Sequence, residues 1–121
     1  MFQVELDKSK NVLKLAYSRH VGPDETQACE ERIKVLLPDL QPGFQLLSDL
    51  SGLEEMEIAC VPYIRRIMEL CKQSGVGRIM RVIPDPRKDI GLNILSLFHY
   101  PRDLPILTFA TLAEATAALE A

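Results

Sequence analysis

Several features that would define a function class are missing from this 121-residue sequence. No apolar run approaches the roughly 20 residues that a membrane-spanning helix needs, so any membrane contact would be peripheral. The opening MFQVELDKSK lacks the basic and then apolar regions of a secretory signal. No internal repeat, low-complexity segment or linker divides the chain. These absences favour one soluble domain over residues 1–121.

Net charge and cysteine content bear on nucleic-acid binding, location and metal binding. The 17 acidic and 14 basic residues give a net charge of −3, whereas proteins that neutralise many phosphates usually carry a basic excess. We therefore do not expect general binding to nucleic acids. The three cysteines, Cys29, Cys60 and Cys71, are odd in number and form no CxxC or Cys/His ligand spacing. We expect a reducing cytoplasm as the location, with no metal site and no cofactor.

The first half of the chain carries the pattern of a hairpin, a helix and a buried strand. Apolar and polar residues alternate over residues 2–7 and 13–17, which predicts two strands joined by a turn at 8–11. Asp24 is the expected N-cap of a first helix, which stops at Pro38. The apolar run at 44–50 is too short for a good helix and is the expected central strand.

The second half repeats the order of strand and helix. A helix begins near Pro62, which is tolerated only in a first turn, and ends at Gly75. Residues 78–83 and 105–109 predict strands, residues 90–99 a third helix, and Thr111 with Glu114 a capping box for a terminal helix. This order predicts an α/β fold in which an N-terminal β-hairpin leads into a mostly parallel mixed sheet of about five strands, with about four helices.

The stretch DLSGLEEMEIACV, residues 49–61, resembles the signature of the STAS domain, the fold of sulfate-transporter tails and anti-sigma-factor antagonists. In that family an apolar strand ends in Asp-Leu-Ser-Gly, a hydrophobic residue follows, and Asp-Ser-Ser/Thr-Gly-Leu opens a helix. The resemblance extends through the next helix to Gly75 and to TLAEATAAL near the end, whereas the first third matches in element order only. The residues that match without a gap are Asp49, Leu50, Ser51, Gly52, Leu53 and Met56.

The chain departs from the family at the residues that carry its switch. Where the family has Asp, a phosphorylated Ser, Ser/Thr and Gly, this chain has Glu57, Ile58, Ala59 and Cys60. Ile58 has no hydroxyl and cannot accept phosphate. Two interpretations stay open: plain divergence at the switch position, or a binding role that is kept without the switch.

Two nearby side chains are alternative reactive groups. Ser51 is the nearest hydroxyl and is expected beside a helix start, where anions are favoured. The carboxylates of Glu54, Glu55 and Glu57 would repel a phosphate there, so a turn-capping serine is the simpler interpretation. Cys60 at a helix N-terminus is a candidate nucleophile, but no sequence neighbour supplies a base or a resolving cysteine. A small buried cysteine is the simpler interpretation.

We therefore expect a non-catalytic regulatory or protein-interaction module, which resembles anti-sigma-factor antagonists but lacks their phosphorylation switch. His20 and His99, the only histidines, lie far apart in sequence and give no catalytic pair. By resemblance, the partner is a protein of the anti-sigma kinase-like class. An alternative is a carrier of a small apolar or lipid-like ligand, which would need an enclosed cavity of about 300 Å³ or more. The expected partner-binding residues are Ser51, Leu53, Met56, Glu57, Ile58 and Tyr63.

Two further surfaces are expected in the C-terminal half. One is an anion-binding patch, for which an ordinary solvated rim with interleaved aspartates is the alternative. The other is a homodimer interface on helix 90–99, because apolar residues cover most of its circumference; cover by residues 99–104 is the alternative. The patch would comprise Arg78, Arg81, Arg87 and Lys88, with Arg102 nearby, and the dimer interface Leu92, Leu95, Leu97 and Phe98.

Overall fold

The computed structural model describes residues 1–83 and 105–120. Its elements are β1 (Phe2–Asp7), β2 (Val12–Val21), α1 (Pro23–Leu36), β3 (Gln45–Met56), α2 (Val61–Gln73), β4 (Arg78–Val82), β5 (Ile106–Phe109) and α3 (Leu112–Glu120), with one-turn 3-10 helices at Leu37–Asp39 and Ile58–Cys60. The helix predicted at 90–99 lies outside the described residues. So do Leu92, Leu95, Leu97 and Phe98, and the homodimer therefore stays a prediction.

The five strands form one sheet in the order β1-β2-β3-β4-β5. β1 and β2 are antiparallel and joined by a tight turn in which Asn11 has a φ of 57°, a conformation that Asn tolerates better than most residues. The other three pairs of neighbours are parallel. Parallel neighbours need a crossover connection, which α1 supplies between β2 and β3 and α2 supplies between β3 and β4. The predicted hairpin and mostly parallel mixed sheet are confirmed.

The two faces of the sheet are covered unequally. α1 and α2 pack on the face that we call the first face, and α3 packs on the second face over β3, β4 and β5. Successive strand residues point to opposite faces, so the central strands supply apolar side chains to both cores. The first-face core includes Leu13, Leu15, Cys29, Ile33, Leu46, Leu50, Ile64 and Ile67, whereas the second-face core consists of Leu47, Met80, Val82 and Ala115.

The helix ends follow the sequence signals with one exception. Gly22, and not Asp24, is the N-cap residue of α1, so that prediction is wrong. Pro23 takes the first helical position because its fixed φ suits a helix start and it has no N–H to satisfy there. Gly75 ends α2 with a φ of 87°, as predicted. Thr111 Oγ1 accepts the N–H of Glu114 at 3.2 Å, which confirms the N-cap of α3.

β3 is longer than the sequence predicts. The predicted strand ends at Leu50, but the strand in the structure continues to Met56. Beyond Asp49 it pairs with β2 alone, because its ladder with β4 ends at that residue. Two register shifts in the β2–β3 ladder place extra residues in β3, and such bulges interrupt the alternation on which sequence analysis relies. We call residues 45–50 the inner segment of β3 and residues 51–56 its outer segment.

Candidate functional site

The outer segment of β3 leads directly into the surface that the sequence singles out. Glu57 leaves the strand, and Ile58 opens the short 3-10 helix before α2. The Ile58 side chain is 88% exposed, more than any other large hydrophobic side chain among the described residues. The turn beneath it is fixed, since Cys60 N–H donates to the Glu57 carbonyl oxygen at 2.9 Å. Ile58 is thus presented to solvent on an ordered turn.

The other apolar members of the predicted partner surface divide between core and surface. Leu53 is 7% exposed and belongs to the first-face core, so little of it is left for a partner to contact. Met56 packs against the same core but remains partly exposed. Tyr63 is half-buried on α2, and the guanidinium carbon of Arg66 lies 5.1 Å from its ring centroid. Met56, Ile58 and Tyr63 are the apolar side chains with accessible surface.

Ser51 is held by its neighbour two positions back. Its hydroxyl donates to Asp49 Oδ1 at 2.6 Å, and its N–H donates to the same oxygen at 3.0 Å. This is the local side-chain turn that Asp favours. A phosphate on Ser51 would lie beside that carboxylate and would be repelled by it. The geometry supports the interpretation of Ser51 as a turn-capping residue.

The three cysteines are free thiols and are all buried. Cys60 Sγ donates to the Val21 carbonyl oxygen at 3.5 Å and has no exposed surface. Burial raises the pKa of the Cys29 thiol to about 11 and that of Cys71 to about 12. The Tyr17 hydroxyl lies 3.6 Å from Cys29 Sγ inside the same core. The burial of Cys60 supports a structural role for this thiol.

A cluster that sequence analysis missed joins the ends of β2 and β3. His20 Nε2 lies 2.8 Å from Glu57 Oε2, and His20 Nδ1 lies 3.3 Å from Glu55 Oε2. Hydrogen bonds that Glu57 accepts, and then those that Glu55 accepts, raise the pKa of His20. These residues are 37 and 35 positions apart in sequence, and only the bulged β2–β3 register brings them together. No short sequence motif predicts this contact.

The amino group of Met1 lies next to this cluster. It donates to the carbonyl oxygens of Ser18 and His20, both at 3.1 Å, and forms a salt bridge with Glu25 at the start of α1. The amino group lowers the pKa of the Glu25 carboxyl. The end of β2 is therefore surrounded by charged groups from the N-terminus, α1 and β3.

Arg78 and Arg81 do not share a surface, so these two residues give the predicted anion patch no support. They lie three positions apart on β4 and therefore point to opposite faces of the sheet. On the second face Arg78 donates to Gln45 Oε1 at 3.1 Å and to the Ala118 carbonyl oxygen at 2.9 Å. On the first face Arg81 is only 5% exposed. The remaining candidates, Arg87, Lys88 and Arg102, lie outside the described residues.

The apolar space between α2 and the sheet is small. It forms a cavity of about 60 Å³, whereas a site for a drug-sized ligand usually needs about 300 Å³ or more. This cavity is therefore too small for the ligand that the carrier alternative requires. The cavity lining includes Leu15, Tyr17, Leu46, Leu50, Met56, Ile64, Ile67, Met68 and Ile79.

The described residues contain neither a membrane-spanning helix nor a metal-binding cluster. No helix within residues 1–83 and 105–120 is long and apolar enough to cross a bilayer. In that part of the chain, no group of three or more His, Cys, Asp and Glu side chains is arranged to hold a metal ion. The exposed turn at Ile58 and the His20 cluster are the features that remain for a functional argument.

The fold is the one found in anti-sigma factor antagonists. SpoIIAA of Bacillus in its phosphorylated form is 17% identical with a TM-score of 0.65, over 98% of this chain and 99% of that one. An anti-sigma factor antagonist from Mycobacterium paratuberculosis is 20% identical with a TM-score of 0.59, over 100% and 96% of the two chains. An uncharacterised protein with a SpoIIAA-like fold from Shewanella loihica is 11% identical with a TM-score of 0.68, over 98% and 93%.

These likenesses establish the architecture and confirm the STAS-like fold that the resemblance at residues 49–61 implied. No sequence profile of a known family matches the chain. A comparison with curated proteins also finds no match. At such low identity a shared fold does not carry a shared function, which must be argued from the site itself.

Proposed function

We propose that this chain is a non-catalytic STAS-like regulatory module that binds a protein partner through the surface around Ile58, without a phosphorylation switch. The exposure of Ile58 carries the proposal. An aliphatic side chain that is 88% exposed stands where the resemblance places the family's phosphorylated serine. A partner that covered it would gain roughly 1.5 to 3 kcal/mol, which a hydroxyl would not provide. Binding at this position would therefore be constitutive.

The order of the turn supports the same proposal. Glu57 N–H donates to the Val21 carbonyl oxygen at 3.0 Å, and the buried Cys60 anchors the other side of Ile58. A segment that is already ordered loses little conformational entropy on binding, so more of the contact energy appears as affinity. Ile58 is therefore already held in an ordered turn before a partner binds.

The charge around Ile58 indicates the chemistry of the partner. Glu54, Glu55 and Glu57 all have exposed side chains. A complementary surface would place an apolar pocket over Ile58 and basic side chains around its rim, since opposite potentials speed association and exclude wrong partners. By resemblance to the antagonists, the partner is an anti-sigma kinase-like protein. The rim charges predict that association slows as salt concentration rises.

Affinity capture from the native host, followed by mass spectrometry, tests the proposal. The wild-type chain is compared with Ile58→Asp and with Val35→Asp, a matched control in which another exposed aliphatic residue, 71% accessible near the end of α1, receives the same charge. We expect a protein that the wild type and Val35→Asp enrich and Ile58→Asp does not. The purified partner protein should bind Ile58→Asp at least about tenfold more weakly than it binds the wild-type chain. Identical enrichment by all three chains would remove the support for this surface.

The absence of a switch has its own test. Protein recovered from the native host should have an unmodified intact mass, and Ser51 should carry no phosphate. Stoichiometric phosphorylation of Ser51 would contradict the proposal, because it would give the module a phosphorylation switch even though the Ser51 hydroxyl is hydrogen-bonded to the Asp49 carboxylate.

A further inference from the structure

Both ring nitrogens of His20 face carboxylate oxygens. Nε2 lies 2.8 Å from Glu57 and Nδ1 lies 3.3 Å from Glu55. An ionised carboxylate only accepts hydrogen bonds, and a neutral imidazole has a single N–H to donate. Both contacts are hydrogen bonds at the same time only when the ring carries two protons. The two contacts together fit an imidazolium ring.

We propose that His20 is a positioning residue, a pH-sensitive clasp that holds the Ile58 turn against the end of β2 while the ring is protonated and releases one carboxylate when the ring loses a proton. Glu57 precedes Ile58 directly, so the clasp acts on the turn through its adjoining residue. What the clasp means for partner binding rests on the function proposed above. The clasp itself requires no partner.

Charged groups from every neighbouring element face this ring or its backbone. Glu55 comes from β3, Glu57 from the segment after β3, and Glu25 from the start of α1. The amino group of Met1 donates to the His20 carbonyl oxygen and is itself paired with Glu25. Two carboxylates contact the ring, and Glu25, paired with the Met1 amine, interacts electrostatically with His20; this balance favours a cationic ring. The pKa of His20 is raised accordingly, chiefly by Glu57 and then by Glu55.

The backbone beside the ring leaves room for this contact. Gly22 follows β2 directly, and a Cβ at this position would lie 2.8 Å from Glu57 Oε2. Any side chain there would push the Glu57 carboxylate away from His20. The N-cap glycine of α1 therefore serves the clasp as well as the helix start.

The sign of the pH effect follows from the raised pKa. Below the ordinary value of 6.5 the ring is protonated and both contacts are present. As pH rises through the raised pKa, one contact is lost and the Ile58 turn loosens. The single N–H of the neutral ring can serve only one carboxylate at a time, so the contact with Glu57 is no longer held continuously.

Nuclear magnetic resonance of the isolated full chain tests the clasp. His99→Gln assigns the two imidazole signals, and the His20 signal should titrate above the ordinary midpoint of about 6.5. Glu57→Gln should lower this midpoint more than Glu55→Gln. Gly22→Ala should lower it too, by moving the Glu57 carboxylate without removing its charge. Over the same pH range, protection of the Glu57 amide against hydrogen exchange should fall a few-fold, whereas in His20→Gln it should not change.

Two results would overturn the inference. The first is an unshifted His20 midpoint in the wild type. The second is a raised His20 midpoint with no change in the hydrogen-exchange protection of the Glu57 amide over the same pH range. That result would mean that the ion pairs do not stabilise the turn. Neither measurement includes a partner, so failure of the capture experiment would leave both intact. Conversely, an inert His20 would leave the capture by Ile58 untouched.

Discussion

The inner and outer segments of β3 belong to one strand but are built differently. The inner segment pairs with β2 on one side and with β4 on the other through Asp49. It buries Leu46 and Leu50 on the first face and Leu47 on the second. The outer segment pairs with β2 alone, and Ser51, Gly52, Glu54 and Glu55 are exposed. We infer that the inner segment supplies stability and that the outer segment presents the candidate site.

The amino acids of each segment fit this division. Three of the six inner residues are leucines, and they are buried on both faces, which is typical of a central strand in a parallel sheet. The outer segment contains Gly52, Glu54 and Glu55, residue types with low preference for strands. The outer segment is a strand because it pairs with β2. The following substitutions test the contrast.

The largest effect is expected from Leu50→Ala in the inner segment. Leu50 is 1% exposed, and loss of its side chain should lower the free energy of unfolding by about 2 to 5 kcal/mol. Glu54→Ala in the outer segment should change it by less than about 0.5 kcal/mol. Urea denaturation measures both. Equal losses would mean that the two segments do not divide stability as described.

Alkaline pH should destabilise the core without acting through the outer segment. Burial raises the pKa of Cys71 from 9.0 to about 12, so the unfolded chain loses this proton first as pH rises above 9. Stability should fall between pH 9 and 12 by about 1.4 kcal/mol per pH unit for this thiol. Cys71→Ala should flatten the slope, whereas His20→Gln should leave it unchanged. A slope that Cys71→Ala leaves as steep as before would exclude this origin.

Two glycine substitutions compare the backbone at the ends of β3. A Cβ on Gly77 would lie 2.8 Å from the Gly43 carbonyl oxygen, beside the start of the inner segment, and rigid backbone cannot move aside easily. Gly77→Ala should cost about 1 to 3 kcal/mol. A Cβ on Gly52 would lie 3.2 Å from Ser18 Cβ, at the edge of the sheet. Gly52→Ala should stay within about 1 kcal/mol of wild type by thermal denaturation; the reverse order would contradict the contrast.

The smallest effect is expected from Ser51→Ala. Its hydrogen bonds to Asp49 are exposed, so stability should change by less than about 0.5 kcal/mol. Thr111→Ala is the matched control, since it removes a hydroxyl that caps α3 and should cost about 1 kcal/mol. Calorimetric melting of both variants decides the order. A larger loss at Ser51 would show that its turn supports the sheet.

Sequence patterns predicted the fold wherever local periodicity decides structure. The hairpin, the inner segment of β3, α2 with Gly75 at its end, and the Thr111 cap all follow from side chains near one another in sequence. The outer segment did not, because its strand character comes from pairing with β2 across two bulges. Asp24 was wrongly predicted as the N-cap of α1, because Pro23 occupies the first helical position and Gly22 is the N-cap.

The candidate site divides in the same way. Ile58 was found because a motif comparison marks it, and its exposure agrees with a contact role. The His20 cluster was missed because its members are brought together by strand register alone. Arg78 and Arg81 were grouped because they are close in sequence, although strand geometry sends them to opposite faces.

The isoleucine at position 58 also determines how such a module would carry information. Without a phosphorylation switch at this position, the proposed module would act by stoichiometry: it would sequester its partner until one of the two is used up, which would produce a threshold in the free partner. The response time is then set by synthesis, degradation and dissociation of the complex. Any faster adjustment has to come through the surroundings of the turn, where the charge on a single imidazole is the nearest adjustable quantity.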